Sequence, residues 1–184
     1  MSMSDETWVT QLKEGSEEAF QALYQAYAPD LHRHLFYLLG DAQEAEDLLH
    51  EVMMLMIQKI GFYTPRPEMK NSFKAWLYRL STYRAIDEIR KRKGKMTTVW
   101  TETTDHEPLQ DELYEKREQE GLIGELLLQL PLMQRMVLGL RVNDDLSYLE
   151  ISAILGKDVN TIKQSLFHAR KKMKELLLAQ GAMA

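Results

Sequence analysis

The chain has 184 residues, of which 45% are apolar, a formal net charge of −5 and no cysteine. Without cysteine it forms no disulfide, no thiolate metal site and no thiol-based active site. No apolar run approaches the roughly 18 to 20 residues that span a membrane, and the N-terminal sequence MSMSDETW does not resemble a signal peptide. We therefore expect a soluble, intracellular protein with enough apolar residues to bury a core.

Basic residues are concentrated in two short windows of an otherwise acidic chain. Residues 84–95 contain six Lys or Arg and two acids, and residues 163–174 contain five Lys or Arg and no acid. Either window alone fits a solvated helix face or a nucleic-acid contact. Because two such windows lie far apart in the sequence, their combination favours nucleic-acid binding.

Residues 5–40 suggest two helices. Ser16 is a good N-cap for the second, and the acids that follow it suit the positive end of a helix. Pro29 predicts either a break or a new first turn within this segment.

A third helix is predicted from Asp41 to Ile60. Asp41 and Glu44 form a capping pair at its start. Glu44, Asp47 and Glu51 fall within about 60° of one another beside an apolar face. This acidic stripe is either a solvated helix face or a docking surface for a basic partner.

A long helix over residues 73–93 follows a Gly- and Pro-containing loop over residues 61–72. The helix interleaves aromatic residues with cations: Trp76, Tyr78 and Tyr83 with Lys74, Arg79, Arg84 and Arg90. One interpretation is a packed core with solvated charges. The other is a surface for single-stranded nucleic acid, where bases stack on rings and cations follow the phosphates.

The acidic segment 96–118 has few aliphatic residues and predicts a flexible linker. It divides the chain into a first domain, residues 1–95, and a second domain, residues 119–184. The second domain is expected to hold four helices, and no strand of useful length is predicted anywhere. The expected fold is therefore all-α, with two helical domains and a helix–turn–helix at the end of the second.

The helix–turn–helix is predicted over residues 146–178. Ser147 and Glu150 form a capping box, Gly156 suits the left-handed end of the first helix, and Asp158 caps the second. One apolar stripe would dock the second helix: Ile162, Leu166, Ala169 and Met173.

The opposite face of this last helix is polar and basic. Its residues are Asn160, Thr161, Lys163, Gln164, Ser165, Phe167, His168, Arg170 and Lys171. In a helix–turn–helix protein such a face enters the major groove of DNA.

The ordered set of these stretches resembles bacterial RNA polymerase sigma factors of the extracytoplasmic-function group. The resemblance covers nearly the whole chain and rests on three stretches: EEAFQALYQAYAPDLHRHLFYLLGDAQEAEDLLHEVM, FKAWLYRLSTYRAIDEIRKRK and LLLQLPLMQRMVLGLRVNDDLSYLEISAILGKDVNTIKQSLFHARKKM. It implies a non-enzymatic, cytoplasmic subunit without cofactor that binds core RNA polymerase and promoter DNA. Members of this group are usually held by an anti-sigma factor, so such a partner is also implied.

The resemblance assigns roles to three groups of residues. Polymerase docking falls on Asp41, Glu44, Asp47, Leu48 and Glu51. Reading and melting of the −10 element fall on Lys74, Trp76, Tyr78, Arg79, Tyr83, Arg84, Arg90 and Lys91. Reading of the −35 element falls on the polar face of the last helix, and the linker matches the segment that threads the polymerase channels.

The chain departs from the family pattern where promoter choice is made. The family often has Asn at the position of Tyr83 and Arg at the position of Ser165, and has His-Arg where this chain has Phe167 and His168. Loss of an Arg removes a bidentate contact to guanine or phosphate. We therefore expect an unusual promoter preference.

Two other classes of function fit the sequence less well. A stand-alone helix–turn–helix regulator would need dimerisation to bind two half-sites, and no dimer heptad follows Lys174. A hydrolase or transferase would need a phosphate-binding loop or a set of catalytic residues, and the sequence contains no recognisable motif of either kind. His168 has no second ligand at a suitable spacing, so no metal site is predicted.

Overall fold

The computed structural model describes residues 5–92 and 120–181, and every regular element within these ranges is helical. The helices are α1 (Asp5–Lys13), α2 (Glu17–Leu39), α3 (Ala42–Lys59), α4 (Ser72–Arg92), α5 (Glu120–Leu128), α6 (Leu132–Leu138), α7 (Tyr148–Leu155) and α8 (Val159–Ala179). A 3₁₀ turn, Ile60–Phe62, follows α3, and a π turn, Gly139–Asn143, follows α6. The all-α prediction is confirmed, whereas the predicted linker, residues 96–118, lies outside the described residues.

Local side-chain chemistry determines where the first helices begin and end. Ser16 Oγ accepts a 3.2 Å hydrogen bond from the backbone N–H of Ala19, at the start of α2. Asp41 Oδ1 accepts a 2.8 Å bond from the N–H of Glu44, at the start of α3. Between them, Gly40 takes a left-handed φ of 75° that ends α2.

Pro29 does not break α2, contrary to the sequence-based expectation. The helix runs without interruption from Glu17 to Leu39 and buries Leu23 before the proline and Leu31 after it. Pro29 itself is exposed, as is Gln25 one turn earlier, whose carbonyl loses its helical partner. Burial along the rest of the helix therefore outweighs the loss of one hydrogen bond on the solvent side.

Helices α2, α3 and α4 enclose the core of the N-terminal half, and α1 packs against α2. Leu31, Leu35, Val52, Met56 and Leu77 are completely buried there. Full burial of such a side chain is worth about 1.5–3 kcal/mol relative to exposure, so these helices stabilise one another.

The C-terminal half is built on the predicted helix–turn–helix. Ser147 Oγ accepts from the N–H of Glu150, and the Glu150 carboxylate accepts from the N–H of Ser147, which completes the capping box. Gly156 has a left-handed φ of 64°, and Asp158 caps α8 through the N–H of Thr161. The docking stripe is confirmed, since Ile162, Leu166 and Ala169 are buried and Met173 is partly buried.

The two halves pack against each other, and their buried apolar residues form one continuous cluster. Helix α2 contacts α5 and α6, and α4 contacts α7. A Cβ atom on Gly40 would lie only 2.7 Å from Leu128 Cδ1. The side chain of Leu128 therefore packs on the bare backbone at the end of α2.

A buried arginine also joins the halves. Arg135 Nη1, on α6, donates a 2.9 Å hydrogen bond to the carbonyl of Leu38, in the last turn of α2. Arg92 Nη1 donates 3.0 Å to the neighbouring carbonyl of Leu39. Last-turn carbonyls have no partner within their own helix and carry partial negative charge, so two cations stabilise this end. Burial lowers the pKa of Arg135 to about 10.

Candidate functional site

The acidic stripe of α3 lies on the surface beside a buried face. Asp47 and Glu51 are exposed, Asp41 and Glu44 are half-buried, and Asp47 accepts a 3.2 Å bond from Gln43 Nε2. Leu48, predicted with them, is only 4% exposed and belongs to the core. Its role in this conformation is to hold the helix in place and not to present a contact surface.

Two of these carboxylates pair with cations of α4. Glu51 forms an ion pair with Arg84, and Glu44 with Arg92. The acidic stripe and the basic helix are therefore electrostatically joined along one flank. Asp47 is paired only with an uncharged amide in the described part of the chain and offers the least compensated charge to a partner.

Helix α4 buries more than one face. Phe73, Leu77 and Ala85 are in the core, whereas Arg79, Arg90 and Lys91 are exposed and Tyr83 is 40% exposed. Two of these exposed cations pair with acids of the same helix: Arg90 lies 3.6 Å from Asp87 and Lys91 lies 3.0 Å from Glu88.

Four of the eight residues predicted to read opened DNA line one open cavity of about 680 Å³. They are Trp76, Arg79, Tyr83 and Arg84. The guanidinium of Arg79 lies 5.6 Å from the centre of the Tyr83 ring. Aromatic faces and cations therefore share a concave surface, which is the arrangement that binds unstacked bases and phosphates.

The loop before α4 also contributes to this cavity, which the sequence did not predict. Phe62, Arg66 and Met69 line it together with Lys59 at the end of α3, and Phe62 is 87% exposed. The available signal was an aromatic pair, Phe62 and Tyr63, in a loop that Gly and Pro predict to be irregular. Tyr63 is buried instead, and its OH donates 2.9 Å to Glu6 Oε1.

Two other predicted DNA contacts face the C-terminal half of the protein. Tyr78 is completely buried, and its OH donates a 2.9 Å hydrogen bond to Asp144 Oδ1. Lys74 Nζ donates 2.7 Å to the backbone carbonyl of Asp144. Burial and the neighbouring Asp144 carboxylate raise the pKa of the Tyr78 phenol well above its ordinary value. In this conformation, Tyr78 has no surface available to a nucleic acid.

The polar face of α8 is free of the N-terminal half and open to solvent. Exposed on it are Asn160, Lys163, Gln164, Phe167, His168, Arg170 and Lys171, whereas Thr161 and Ser165 are half-buried. Thr161 is engaged in the Asp158 cap, which restrains its contact with a ligand. The predicted reading face is thus assembled almost complete on one rigid helix.

An aromatic residue and two cations adjoin the reading face. The ring of Tyr148 lies 5.5 Å from Lys163 Nζ and 5.2 Å from the guanidinium of Arg141. Such cation–π contacts favour the observed conformations of the long Lys163 and Arg141 side chains. Phe167 is 66% exposed and packs edge-on against His168, with their ring centres 5.5 Å apart.

Within residues 5–92 and 120–181, no three His, Asp or Glu side chains are grouped closely enough to hold a metal ion. Among the same residues, no helix is both long and apolar enough to cross a bilayer. The candidate binding surfaces of the described residues are therefore the acidic stripe, the aromatic–basic cavity and the basic face of α8.

Comparison with known proteins matches two successive regions of the chain to known families. Residues 23–95 match the family described as Sigma-70 region 2, and residues 120–173 match Sigma-70, region 4. The chain is 27% identical to the ECF RNA polymerase sigma factor SigW of Bacillus subtilis, over 96% of this chain and 98% of SigW. It is 30% identical to SigX of the same organism, over 86% of this chain and 84% of SigX.

A solved structure has the same fold. The sigma factor RpoE from Bartonella quintana, co-crystallised with the anti-sigma factor NepR, superposes with a TM-score of 0.66 and 25% sequence identity. The match covers 86% of this chain and 96% of that chain. The chain therefore belongs to the extracytoplasmic-function group of bacterial RNA polymerase sigma factors.

Proposed function

We propose that this sigma factor binds core RNA polymerase through α3, reads and helps to melt the −10 element with α4, and reads the −35 element with α8. In this proposal residues 1–95 form the docking and −10 domain, residues 119–184 form the −35 domain, and residues 96–118 connect them. The protein acts in the cytoplasm and contributes no catalysis of its own. The observation that carries the proposal is the succession, along one chain, of an acidic stripe, an aromatic–basic cavity and a basic helix–turn–helix.

Docking to polymerase rests on the exposed carboxylates of α3. Asp47 and Glu51 lie on one side of the helix, next to the half-buried Asp41 and Glu44. Carboxylates at the rim of a protein interface steer a basic partner and fix its register. Leu48 supports this surface from within the core.

Capture of opened −10 DNA rests on the cavity beside α4. Trp76 and Tyr83 offer rings for base stacking, and Arg79 and Arg84 offer cations for the phosphates. Arg90 and Lys91 extend the positive charge toward the end of the helix. Taking a base out of the duplex costs a few kcal/mol, and stacking in the cavity offsets that cost.

Recognition of the −35 element rests on α8. Lys163, Arg170 and Lys171 are exposed and suit contacts with the phosphate backbone, while Asn160 and Gln164 suit hydrogen bonds to base edges. The exposed Phe167 takes the place of a hydrogen-bonding residue on this face. Its apolar ring suits the methyl group of a thymine.

An anti-sigma factor is the proposed regulatory partner. RpoE from Bartonella quintana was crystallised with the anti-sigma factor NepR, and the present fold matches it over most of both chains. Exposed apolar side chains at Met54, Ile57 and Phe62 offer contact area for such a protein. Recovery of only polymerase subunits from a native lysate would count against a dedicated inhibitor.

The test of the proposal is retention on core polymerase, with matched charge reversals on α3. Purified protein should co-elute with core polymerase on a sizing column. Asp47→Lys combined with Glu51→Lys should weaken retention at least about tenfold, because like charges then face each other across the interface.

The matched control is Glu46→Lys, which reverses an exposed acid that lies about 100° from Asp47 and about 140° from Glu51 around the same helix. It should leave retention unchanged. If core polymerase never retains the wild-type protein, the proposal fails. In that case a stand-alone DNA-binding regulator becomes the better account. If the double reversal leaves both retention and promoter use intact, docking through Asp47 and Glu51 is contradicted.

A further inference from the structure

The loop between α3 and α4, residues 61–71, carries two side chains to the aromatic–basic cavity. Phe62 and Arg66 are both exposed, and both line the cavity. In this loop only Tyr63 and Met69 are buried. The positions of Phe62 and Arg66 therefore depend on what fixes Tyr63 and the backbone beside it.

Helix α1 contacts Tyr63 at two points. The Tyr63 phenol, 3% exposed, donates a 2.9 Å hydrogen bond to Glu6 Oε1, and its backbone carbonyl accepts a 2.8 Å bond from Lys13 Nζ. The Lys13 ammonium also lies 5.6 Å from the centre of the Tyr63 ring. Glu6 and Lys13 are about two helical turns apart and share one face of α1. That face therefore holds Tyr63 by both its side chain and its backbone.

Ser72, the first residue of α4, connects Tyr63 to the rest of the loop. Its Oγ accepts a 2.8 Å hydrogen bond from the backbone N–H of Arg66 and lies 3.1 Å from the Tyr63 oxygen. A phenol has one proton, and Glu6 accepts it, so the Ser72 hydroxyl donates to Tyr63. The hydrogen bonds thus run in one direction, from Arg66 through Ser72 and Tyr63 to the Glu6 carboxylate.

The Glu6 carboxylate is the strongest acceptor in this series. A hydrogen bond to an ionised acceptor is roughly twice as strong as one between neutral groups, and bonds in a chain polarise one another. Burial raises the pKa of Tyr63 to about 12, so the phenol keeps its proton at neutral pH. The order of the loop therefore depends on a residue of α1.

The ring of Tyr63 also supports an aromatic residue of the cavity. Its centre lies 5.4 Å from that of Trp76 and 5.6 Å from that of the buried Phe73. Aromatic pairs at such separations favour particular ring orientations. Tyr63 therefore restrains the ring of Trp76, which is proposed to stack on an unpaired base.

Helix α1 itself does not line the cavity: none of the residues from Asp5 to Lys13 is among its lining residues. Any influence of α1 on a bound nucleotide therefore passes through the loop. A binding site discriminates only while its side chains are held within about 0.5 Å of the required positions by the residues that pack on them. Tyr63 has this place behind Phe62 and Trp76.

We propose that α1 is a positioning element of the −10 reader: Glu6 and Lys13 fix Tyr63, and Tyr63 fixes the loop at the cavity. This inference rests on the proposed function of the cavity. Glu6 and Tyr63 are positioning residues that set base selectivity at the −10 element without touching the DNA. When the bond between them is lost, the loop occupies several positions and the cavity discriminates less between bases.

The first test is hydrogen exchange of the Arg66 amide in the free protein, followed by NMR. Glu6→Ala removes the acceptor, and Tyr63→Phe removes the phenol oxygen while it keeps the ring. Both variants should exchange this amide at least about fivefold faster than wild-type protein, because the loop opens more often. Glu6→Gln keeps an acceptor oxygen and should restore most of the protection.

The second test is base selectivity of the polymerase complex. A promoter that the wild-type complex uses is randomised in its −10 element, and run-off transcripts are sequenced. Glu6→Ala and Tyr63→Phe should each reduce the preference for the best −10 sequence over the second best at least about threefold. The double variant should lose no more than either single variant, because both substitutions remove the same bond.

The ratio between promoters separates positioning from stability. A variant that is merely less stable yields less transcript from every promoter by the same factor, whereas a displaced loop changes the ratios. Glu14→Ala, which removes an exposed carboxylate just after α1, is the matched control. It should leave both the exchange rate and the ratios at their wild-type values.

Three outcomes would overturn the proposal. The first is wild-type exchange of the Arg66 amide in both Glu6→Ala and Tyr63→Phe. The second is faster exchange with unchanged −10 preference. The third is an equal loss of preference in Glu14→Ala. If the polymerase complex initiates at no promoter, the proposed function fails, while exchange in the free variants still decides whether α1 positions the loop.

Discussion

The phenol of Tyr78 donates a 2.9 Å hydrogen bond to the carboxylate of Asp144, 66 residues further along the chain. Both side chains are almost completely buried. The bond joins a helix that is proposed to read opened DNA to the turn that precedes the helix–turn–helix. The packing of the two halves and the accessibility of Tyr78 are therefore linked through this one contact.

Tyr78→Phe is expected to destabilise the protein by about 1–3 kcal/mol, because the buried Asp144 oxygen loses its partner while the ring is kept. Thermal or urea unfolding measures the change. Tyr24→Phe is the matched control, since it removes the hydroxyl of a half-buried tyrosine. Equal unfolding midpoints for the two variants would contradict the account of Tyr78.

Alkaline pH should unfold the protein through its buried tyrosines. Burial is the largest cause that raises the pKa of Tyr63, to about 12, and it also raises the pKa of Tyr27 and Tyr78. A tyrosine in the unfolded chain ionises at about pH 10. As the pH rises, the unfolded state therefore loses these protons before the folded state does. Stability should thus be unaffected below about pH 9 and fall as the pH rises above about 10.

The check is an absorbance titration of tyrosinate with parallel circular dichroism. Of the eight tyrosines in the chain, those three should ionise only as the helices unfold. Reversible ionisation of all eight near their ordinary pKa, with helix content unchanged, would show that the phenols are accessible.

Substitutions of Arg135 distinguish the free-energy cost of burying its charge from the stabilisation that its side chain contributes by packing. A pKa lowered to about 10 by burial corresponds to a cost on the order of 3 kcal/mol, at about 1.36 kcal/mol per pKa unit. Its hydrogen bond to the Leu38 carbonyl stabilises the folded protein by about 1.5–3 kcal/mol. Arg135→Met should therefore change the free energy of unfolding by less than about 1 kcal/mol.

Arg135→Ala removes the same charge and also leaves a cavity, so it should be about 2–5 kcal/mol less stable than Arg135→Met. Denaturant unfolding of the two variants measures this difference. Equal stability would mean that the side chain contributes no packing between α6 and α2.

Many local features followed from the sequence because they depend on neighbouring residues. The helix caps at Ser147 with Glu150, at Gly156 and at Asp158 depend on hydrogen bonds between residues three or four positions apart. Such caps can therefore be predicted from the sequence alone. The apolar period of α8 predicted its docking face for the same reason. Helix α4 gave no single stripe because α2, α3 and α7 all pack against it.

The contacts between the halves could not be predicted. Asp144 stands in the polar run Asn143–Asp144–Asp145, which indicated only the end of a helix. Its partners are a tyrosine and a lysine of α4 and a histidine of α2, and no local pattern brings these residues together. The burial of Tyr78 and the cavity lined by Phe62 depend on tertiary packing in the same way.

Lys163→Ala and Arg170→Ala should each weaken binding to −35 duplex DNA in the polymerase complex. If each cation contacts a phosphate, each variant should also reduce the slope of log affinity against log salt by about 1. Lys13→Ala, which removes a positive charge from α1, should leave that slope unchanged. An unaltered slope in both α8 variants would reject phosphate contacts at these positions.

The central claim is promoter-directed initiation, and run-off transcription from genomic fragments tests it most directly. Core polymerase supplemented with this protein should produce discrete new start sites that share two sequence elements at a fixed spacing. The same reaction without the protein should lack those sites. Start sites that are identical with and without the protein, on core polymerase that is active with another sigma factor, would contradict the account.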